Sequence, residues 1–266
     1  VEEELNGRVY TTIKFPTHRE GKPCYLAGYT IDITNRKKTE QREDIERHIL
    51  EVLNQSYGAK GIIKDILLLI KKNTGLEAVG IRLKEGEDFP YFETSGFPDY
   101  FVQTENSLCT RDKSGNAVLD EKGNPVLECM CGNIICGRTD PTKPFFTRNG
   151  SFWANCTTKL LATTNEKDRH ARTRNYCNKE GYESVAIIPL RSGKETIGLL
   201  QFNDHRQNQF TEDMIEFFEG LGNSIGIALA RKRAEELLQK SEKKYRILVE
   251  SLNEGIWMID KGSKTV

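Results

Sequence analysis

Ser184-Val-Ala-Ile-Ile-Pro-Leu190 and Glu195-Thr-Ile-Gly-Leu-Leu-Gln-Phe202 read as two β-strands turned at Ser192-Gly193. A helix opens just beyond them. Thr211 is its N-cap candidate, with Glu212 and Asp213 in the first turn, where the helix dipole favours acids. Met214, Phe218, Leu221, Ile225 and Ala228 then run down one helical face. Leu238, Ser241, Tyr245, Leu248 and Leu252 keep heptad spacing but out of phase with the first set, a stutter near 228–238. Either one helix changes partner there, packing first on its own domain and then on a sister helix, or the slip is a signalling joint.

Working upstream, Glu77-Ala-Val-Gly-Ile-Arg-Leu83 and Tyr91-Phe-Glu-Thr-Ser95 read as two more strands. Ile45, Ile49, Val52 and Leu53 predict a charged helix over 35–56. A second is predicted across Gly61-Ile-Ile-Lys-Asp-Ile-Leu-Leu-Leu-Ile70, stopped at Asn73-Thr-Gly75. Val9-Tyr-Thr-Thr-Ile-Lys-Phe15 and Tyr25-Leu-Ala-Gly-Tyr-Thr-Ile31, joined through Arg19-Glu-Gly-Lys-Pro23, make a hairpin. Two strands close no core, so the hairpin is expected to be the tail end of a domain begun upstream. Between Phe97 and Tyr182 no period emerges, and the segment is rich in Gly, Asn, Thr and Cys. A stretch of that length is expected to be functional.

Composition narrows the class. Charges balance at 39 basic against 39 acidic residues, leaving no net field to draw in nucleic acid or an anionic membrane. No apolar run approaches a membrane span and no signal-peptide pattern opens the chain, so a cytoplasmic segment without a membrane partner is expected. The chain opens on Val and stops in mid-pattern at Ser263-Lys-Thr-Val266, which reads as a fragment of something longer. Seven cysteines, an odd count, with no secretion signal point to a reducing compartment and away from a disulfide framework.

Asp32-Ile-Thr-Asn-Arg-Lys-Lys-Thr-Glu40 resembles the signature that closes a PAS domain and enters a signalling helix, and the hairpin before it is similar to the last two PAS strands. The order helix, helix, two strands, variable segment, two strands, closing helix over 45–230 resembles a GAF domain. Ser241-Glu-Lys-Lys-Tyr-Arg-Ile-Leu-Val-Glu-Ser-Leu-Asn-Glu-Gly-Ile-Trp-Met-Ile-Asp260 is similar to the opening of another PAS domain. The resemblance divides the chain into a PAS end at 1–36, a signalling helix at 37–56, a GAF domain at 57–230 with a Cys-rich insert at 97–182, a coiled-coil linker at 231–250 and a PAS start at 251–266. It implies an α/β (α+β) fold, with an antiparallel sheet flanked by helices and long signalling helices at both ends.

The order PAS–GAF–PAS is that of multi-sensor histidine kinases of bacteria and archaea. Glu128-Cys-Met-Cys-Gly132, Gly150-Ser-Phe-Trp153 and Gly181-Tyr-Glu-Ser-Val-Ala-Ile-Ile-Pro-Leu190 resemble segments of sensor kinases in anaerobes and, more loosely, haem-linked sensors of methanogens. No cysteine here aligns with the haem-bearing one, so no haem ligand is carried over. The resemblance implies a sensory segment with no catalysis of its own. It would act as a homodimer through its flanking helices on downstream PAS and kinase domains and, through the parent kinase, on a response regulator.

The chemistry to be weighed sits in the insert. Six cysteines, Cys109, Cys129, Cys131, Cys136, Cys156 and Cys177, fall there, three of them in Leu127-Glu-Cys-Met-Cys-Gly-Asn-Ile-Ile-Cys136. On a strand, Cys129 and Cys131 would share a face. With Cys136, Cys156 and Cys177 they are candidates for a zinc or iron–sulfur site, although the Cys-x-x-Cys spacing common to zinc sites and the Cys-x-x-Cys-His of c-type haem are both missing. Three readings stay open: buried packing, a metal or haem site, and a thiol redox switch.

His170, in Asp168-Arg-His-Ala-Arg-Thr-Arg174, and His205 are axial-ligand candidates if haem binds. The arginines around His170 either form a solvated loop or pair with propionates or another anion. Phe145, Phe146, Phe152 and Trp153 either plug a small core or line a pocket for a flat ligand. Bilin attachment is excluded because no Cys-His pair exists, and a cyclic-nucleotide signature fails at Asp204, where Lys is expected. Asn203, Phe210 and Asp213 read instead as terminating a strand and capping a helix, and His48 as a surface residue. No Gly-rich phosphate loop appears.

Overall fold

The computed structural model describes residues 1–53, 55, 58–170 and 173–251. Its frame is an antiparallel sheet built from β4 (Ala78–Leu83), β5 (Tyr91–Ser95), β6 (Phe152–Ala154), β7 (Ser184–Ser192) and β8 (Glu195–Asp204), in the order β5-β4-β8-β7-β6. The hairpin that opened the sequence reading is its centre, pairing Ser184 with Asp204 and Ile188 with Leu200. β4 joins the free edge of β8, Ala78 opposite Asn203, so strands from before and after the insert share one sheet.

Alternation sends neighbouring residues to opposite faces. Val79, Ile81, Ala186, Ile188, Leu190, Leu200 and Phe202 pack against α1 (Thr34–Leu53), α2 (Ala59–Thr74) and α7 (Glu212–Ser251). Ala78, Val185, Ile187 and Leu199 pack against Phe97, Phe101, Cys131 and Ile134 of the insert. A sheet covered on both faces favours strands apolar on both sides, which is why β7 and β8 carry continuous hydrophobic runs at 185–190 and 197–200.

The helix signals hold. α2 stops at Gly75, whose φ of 66° lets its N–H reach the Lys71 carbonyl. Thr211 Oγ1 accepts from the Met214 N–H at 3.3 Å, capping α7. Gly226 lets α7 lie close on β7, since a Cβ there would fall 2.3 Å from the Arg191 carbonyl. α7 runs unbroken through 228–238, and along its far end Leu237, Leu238, Tyr245 and Leu248 are exposed.

The amino-terminal hairpin is a three-stranded sheet, β1 (Glu2–Leu5), β2 (Arg8–Arg19) and β3 (Lys22–Asp32). The additional strand, acidic Glu2-Glu-Glu-Leu5, turns through Asn6-Gly7 with φ of 51° and 74°, a mirror-image turn that favours Asn-Gly. Asp32 Oδ1 accepts the Thr34 N–H at 3.0 Å and its hydroxyl at 2.5 Å, tying β3 into α1.

The insert resolves into α3 (Asp99–Glu105), α4 (Cys129–Ile135), β6, α5 (Thr157–Thr163) and α6 (Tyr176–Lys179). Elements this short leave no visible period. Between α3 and α4, Asp112 and Asp120 head two alike turns eight residues apart. Each Oδ1 accepts the backbone N–H two and four residues on, at 2.8–2.9 Å. The expected PAS start lies outside the described residues from 252 onward. Among the described residues no helix is long and apolar enough to cross a membrane.

Candidate ligand cavity

On the insert face of the sheet a cavity of about 70 Å³ opens between β7, β8, α4, α5 and α6. Met130, Phe152, Leu160, Leu161, Val185 and Ile187 give it apolar walls. Cys129, Cys131 and Cys177 line it too, with Glu105, Thr157, Arg169, Thr173 and Gln201.

α4 brings two of these thiols in. The sequence reading weighed Cys129 and Cys131 on a strand; they occupy the first turn of a helix instead. Two local features bend the chain that way. Gly132 packs directly on Leu127, where a Cβ would lie 2.7 Å from the carbonyl, and its N–H reaches the Glu128 carbonyl at 3.1 Å. Arg138 then staples the turn, donating to Asn133 Oδ1 at 3.0 Å and the Leu127 carbonyl at 2.7 Å. Cys129 carries a left-handed φ of 63°, a conformation that costs a non-glycine residue energy and that the packing around it must impose.

Beneath the cavity runs a buried polar network that the motif search passed over. Gln201 Oε1 accepts from the Tyr91 hydroxyl at 2.9 Å and from the Cys131 thiol at 3.9 Å. Its amide donates to Asn203 Oδ1 at 2.9 Å and to the Cys177 sulfur at 3.9 Å. Arg82, 1% exposed, stacks over the Tyr91 ring 3.6 Å from its centre. It donates to the carbonyls of Phe89, Glu105 and Asn106 at 3.1, 2.6 and 3.1 Å. Those bonds pin the end of α3, and with it Glu105 at the cavity wall. Arg174 donates to the Cys129 sulfur from its backbone at 3.2 Å and from Nε at 3.4 Å, and pairs with Glu105 at 3.3 Å.

Burial pushes the Cys131 thiol up to about 12 and raises Cys177 and Cys129 as well; at Cys129 the adjacent Arg174 works against the rise. Burial also raises Glu105, against the pull of Arg174. The cavity therefore presents thiols, not thiolates, at neutral pH. Cys109 is held apart, its thiol pushed up to about 11 by burial and donating to the Glu87 carbonyl at 3.3 Å.

The remaining sequence candidates fall elsewhere. Cys136 is exposed, and Cys156 is half-buried at the N-terminus of α5, outside the lining. Among the described residues no group of three or more His, Cys, Asp or Glu side chains is placed to hold a metal ion, so the set Cys129, Cys131, Cys136, Cys156 and Cys177 is not assembled. Trp153 lies next to Phe152 on β6, and strand alternation turns it to the helix side; only Phe152 reaches the cavity. His170 is exposed, its ring 6.0 Å from Phe146 and off the cavity wall. His205 is occupied at both ring nitrogens, by Glu77 at 2.6 Å and the Glu180 carbonyl at 3.0 Å. Ala171 and Arg172 lie outside the described residues. Asn203 and Asp204 end β8, as expected, but Asp204 pairs with Arg206 at 2.7 Å and the helix is capped by Thr211. His48 is on the surface, as expected.

Gln201 and Arg82 carried a signal that could have been read. Each is a long polar residue that follows directly on apolar neighbours within its strand, Ile81 before Arg82 and Leu200 before Gln201, and a buried polar group needs partners.

Residues 115–230 match the family model described as GAF domain, and this part of the chain is a GAF domain. The five-stranded antiparallel sheet with its flanking helices has a GAF-like α+β fold. No curated protein matches the sequence. Among solved structures, a free methionine-R-sulfoxide reductase from Neisseria meningitidis in complex with its substrate superposes with a TM-score of 0.50 at 12% identity, covering 74% of this chain and 93% of that one. The GAF domain of A. aeolicus nlh2 gives 0.47 at 15% identity, over 73% and 98%. A domain assigned to a two-component sensor histidine kinase of Sinorhizobium meliloti gives 0.45 at 12% identity, over 69% and 99%.

Proposed function

We propose that this chain is the sensory segment of a sensor histidine kinase, in which the insert-face cavity receives a small ligand and α7 carries the result to the output. The observation that carries this reading is the gathering of three thiols, a glutamine and two charged side chains around one cavity, on the sheet face opposite α1, α2 and α7. A core that only had to be stable would not keep such groups beside a void.

Size and protonation select among ligand classes. At ~10–15 Å³ per water the space holds on the order of five water-sized groups, far short of a porphyrin. Thiols held neutral by burial make weak nucleophiles, which speaks against a thiolate redox switch at rest. The unassembled cysteine set speaks against a zinc or iron–sulfur knot.

Coupling to α7 runs around the β6 edge. Thr147 and Asn149 donate to the two oxygens of buried Glu219 on α7, at 2.5 and 2.6 Å. Asn155 exchanges two hydrogen bonds with the backbone of Phe210, at 2.8 and 2.9 Å, just ahead of the helix. Phe152, between these attachments in sequence, borders the cavity. A ligand that displaces Phe152 therefore pulls on both. In a cytoplasmic homodimer the exposed Leu237, Leu238, Tyr245 and Leu248 meet their counterparts, and a shift of α7 reaches the kinase.

The test is a visible spectrum of the purified chain before and after dithionite, with melting curves against small polar and apolar compounds. The expected result is no Soret band and a melting temperature raised by at least one compound of this size. A Soret band, or melting indifferent to every compound, contradicts the proposal.

A further inference from the structure

Two buried polar atoms at this cavity have no hydrogen-bond partner among the described residues. Arg169 is 7% exposed, and its Nη1 donates to the Thr164 carbonyl and hydroxyl, both at 2.7 Å. Its Nε is buried with no partner among the described residues. The Thr173 hydroxyl, on the same wall, is buried and unpartnered as well. The nearby carboxylates are engaged elsewhere: Asp168 with Lys143 at 2.9 Å, Glu105 with Arg174 at 3.3 Å. The Asp168 carboxylate lies near enough to feel the Arg169 charge, but it leaves the Nε–H unbonded, and a buried donor left unmade loses its full hydration.

We infer that the ligand is a compact monocarboxylic acid whose carboxylate takes the free N–H of Arg169 and the Thr173 hydroxyl. The inference rests on the reading of this cavity as the ligand site and names the class of molecule that fits it. The flat guanidinium fork matches a carboxylate, and a charge-assisted bond there replaces the hydration both partners lose. Met130, Phe152, Leu160 and Ile187 ask for an apolar remainder, and the volume limits it to a few carbons. The Glu105 carboxylate on the same wall opposes a second negative charge on the ligand.

Calorimetric titration of the whole chain with sodium propionate and with propionamide, at matched ionic strength, tests this. The two probes share size and shape and differ in charge. Propionate is expected to bind and propionamide to bind at least about tenfold more weakly, the loss of one hydrogen bond to a charged group. Arg169→Gln is expected to abolish the preference and Thr173→Val to weaken propionate several-fold, each with circular dichroism as the check on folding. Should Arg169→Gln not fold, Arg169→Lys keeps the charge without the fork and is expected to weaken propionate by a similar factor. Equal binding of the two probes, or propionate binding untouched by all three substitutions, overturns the carboxylate assignment while leaving the cavity as a ligand site. Binding of neither probe overturns the assignment, and it reaches the cavity reading as well only if no other compound shifts the melting temperature.

Discussion

The two faces of the five-stranded sheet are built from alternate residues of the same strands, yet they differ in kind. The helix face is closed with aliphatic and aromatic side chains, Phe202 stacked on Phe218 at 4.1 Å between ring centres. The insert face mixes aromatics with buried thiols, Arg82, Gln201 and a cavity. One face is packed for stability. The other keeps polar groups in low dielectric, where each must be satisfied or stand ready for something that satisfies it.

Substitutions can break or sharpen that contrast. The largest loss is expected on the helix face: Phe218→Ala, at a fully buried stacked ring, should cost about 3–5 kcal/mol in urea unfolding. On the insert face Arg82→Met should cost about 2–3 kcal/mol by leaving three carbonyls unpaired, and should also weaken any ligand by freeing α3 and Glu105. Cys131→Val, close in volume beside an existing void, should change stability by less than about 1.5 kcal/mol. If it costs as much as Phe218→Ala, the two faces are packed alike and the contrast fails.

Thiol labelling sharpens the comparison without a stability measurement. In the folded chain at pH 7.5, exposed Cys24 and Cys136 should react with a disulfide reagent at least about a hundredfold faster than Cys131 and Cys177, the thiolate being the reactive form. The smallest effect concerns the sheet's rim. The hydrogen bond that His205 donates to Glu77 raises His205 above its usual value of about 6.5, so the pair's contribution is complete below that pH and fades as pH rises through the raised folded value. His205→Ala should flatten the decline of melting temperature from about pH 6.5 upward and leave the curve below that unchanged in slope.

The helix face was legible because it obeys simple periods. Ile45 and Ile49, then Ile62, Ile63, Ile66, Leu67 and Ile70, and Phe218, Leu221 and Ile225 all repeat at helical spacing and all are buried. The Asn6-Gly7 turn and its acidic strand were missed because charge outweighed the turn signal. In the insert, composition pointed to the right segment, and three of its six cysteines do reach the cavity. Their neighbours could not be read from spacing. Gln201 comes to Cys131, and Arg169 to the cavity lining, through tertiary packing, and the turn that aims α4 depends on Gly132 and Arg138 more than on any period. From sequence alone Trp153 stays open between a small core and a pocket wall, because one step along a strand decides which face a side chain takes.

On the reading proposed here, the state of the insert-face cavity reaches α7 through the Glu219 attachment. Hydrogen exchange across α7 tests it most directly, comparing the chain with a variant whose cavity is plugged at its half-buried rim, Leu161→Trp. The account predicts that the plug alters amide protection in the α7 turns around Glu219 by several-fold, and that Thr147→Val with Asn149→Ala removes the difference. Identical protection of α7 with the cavity open and filled would contradict it.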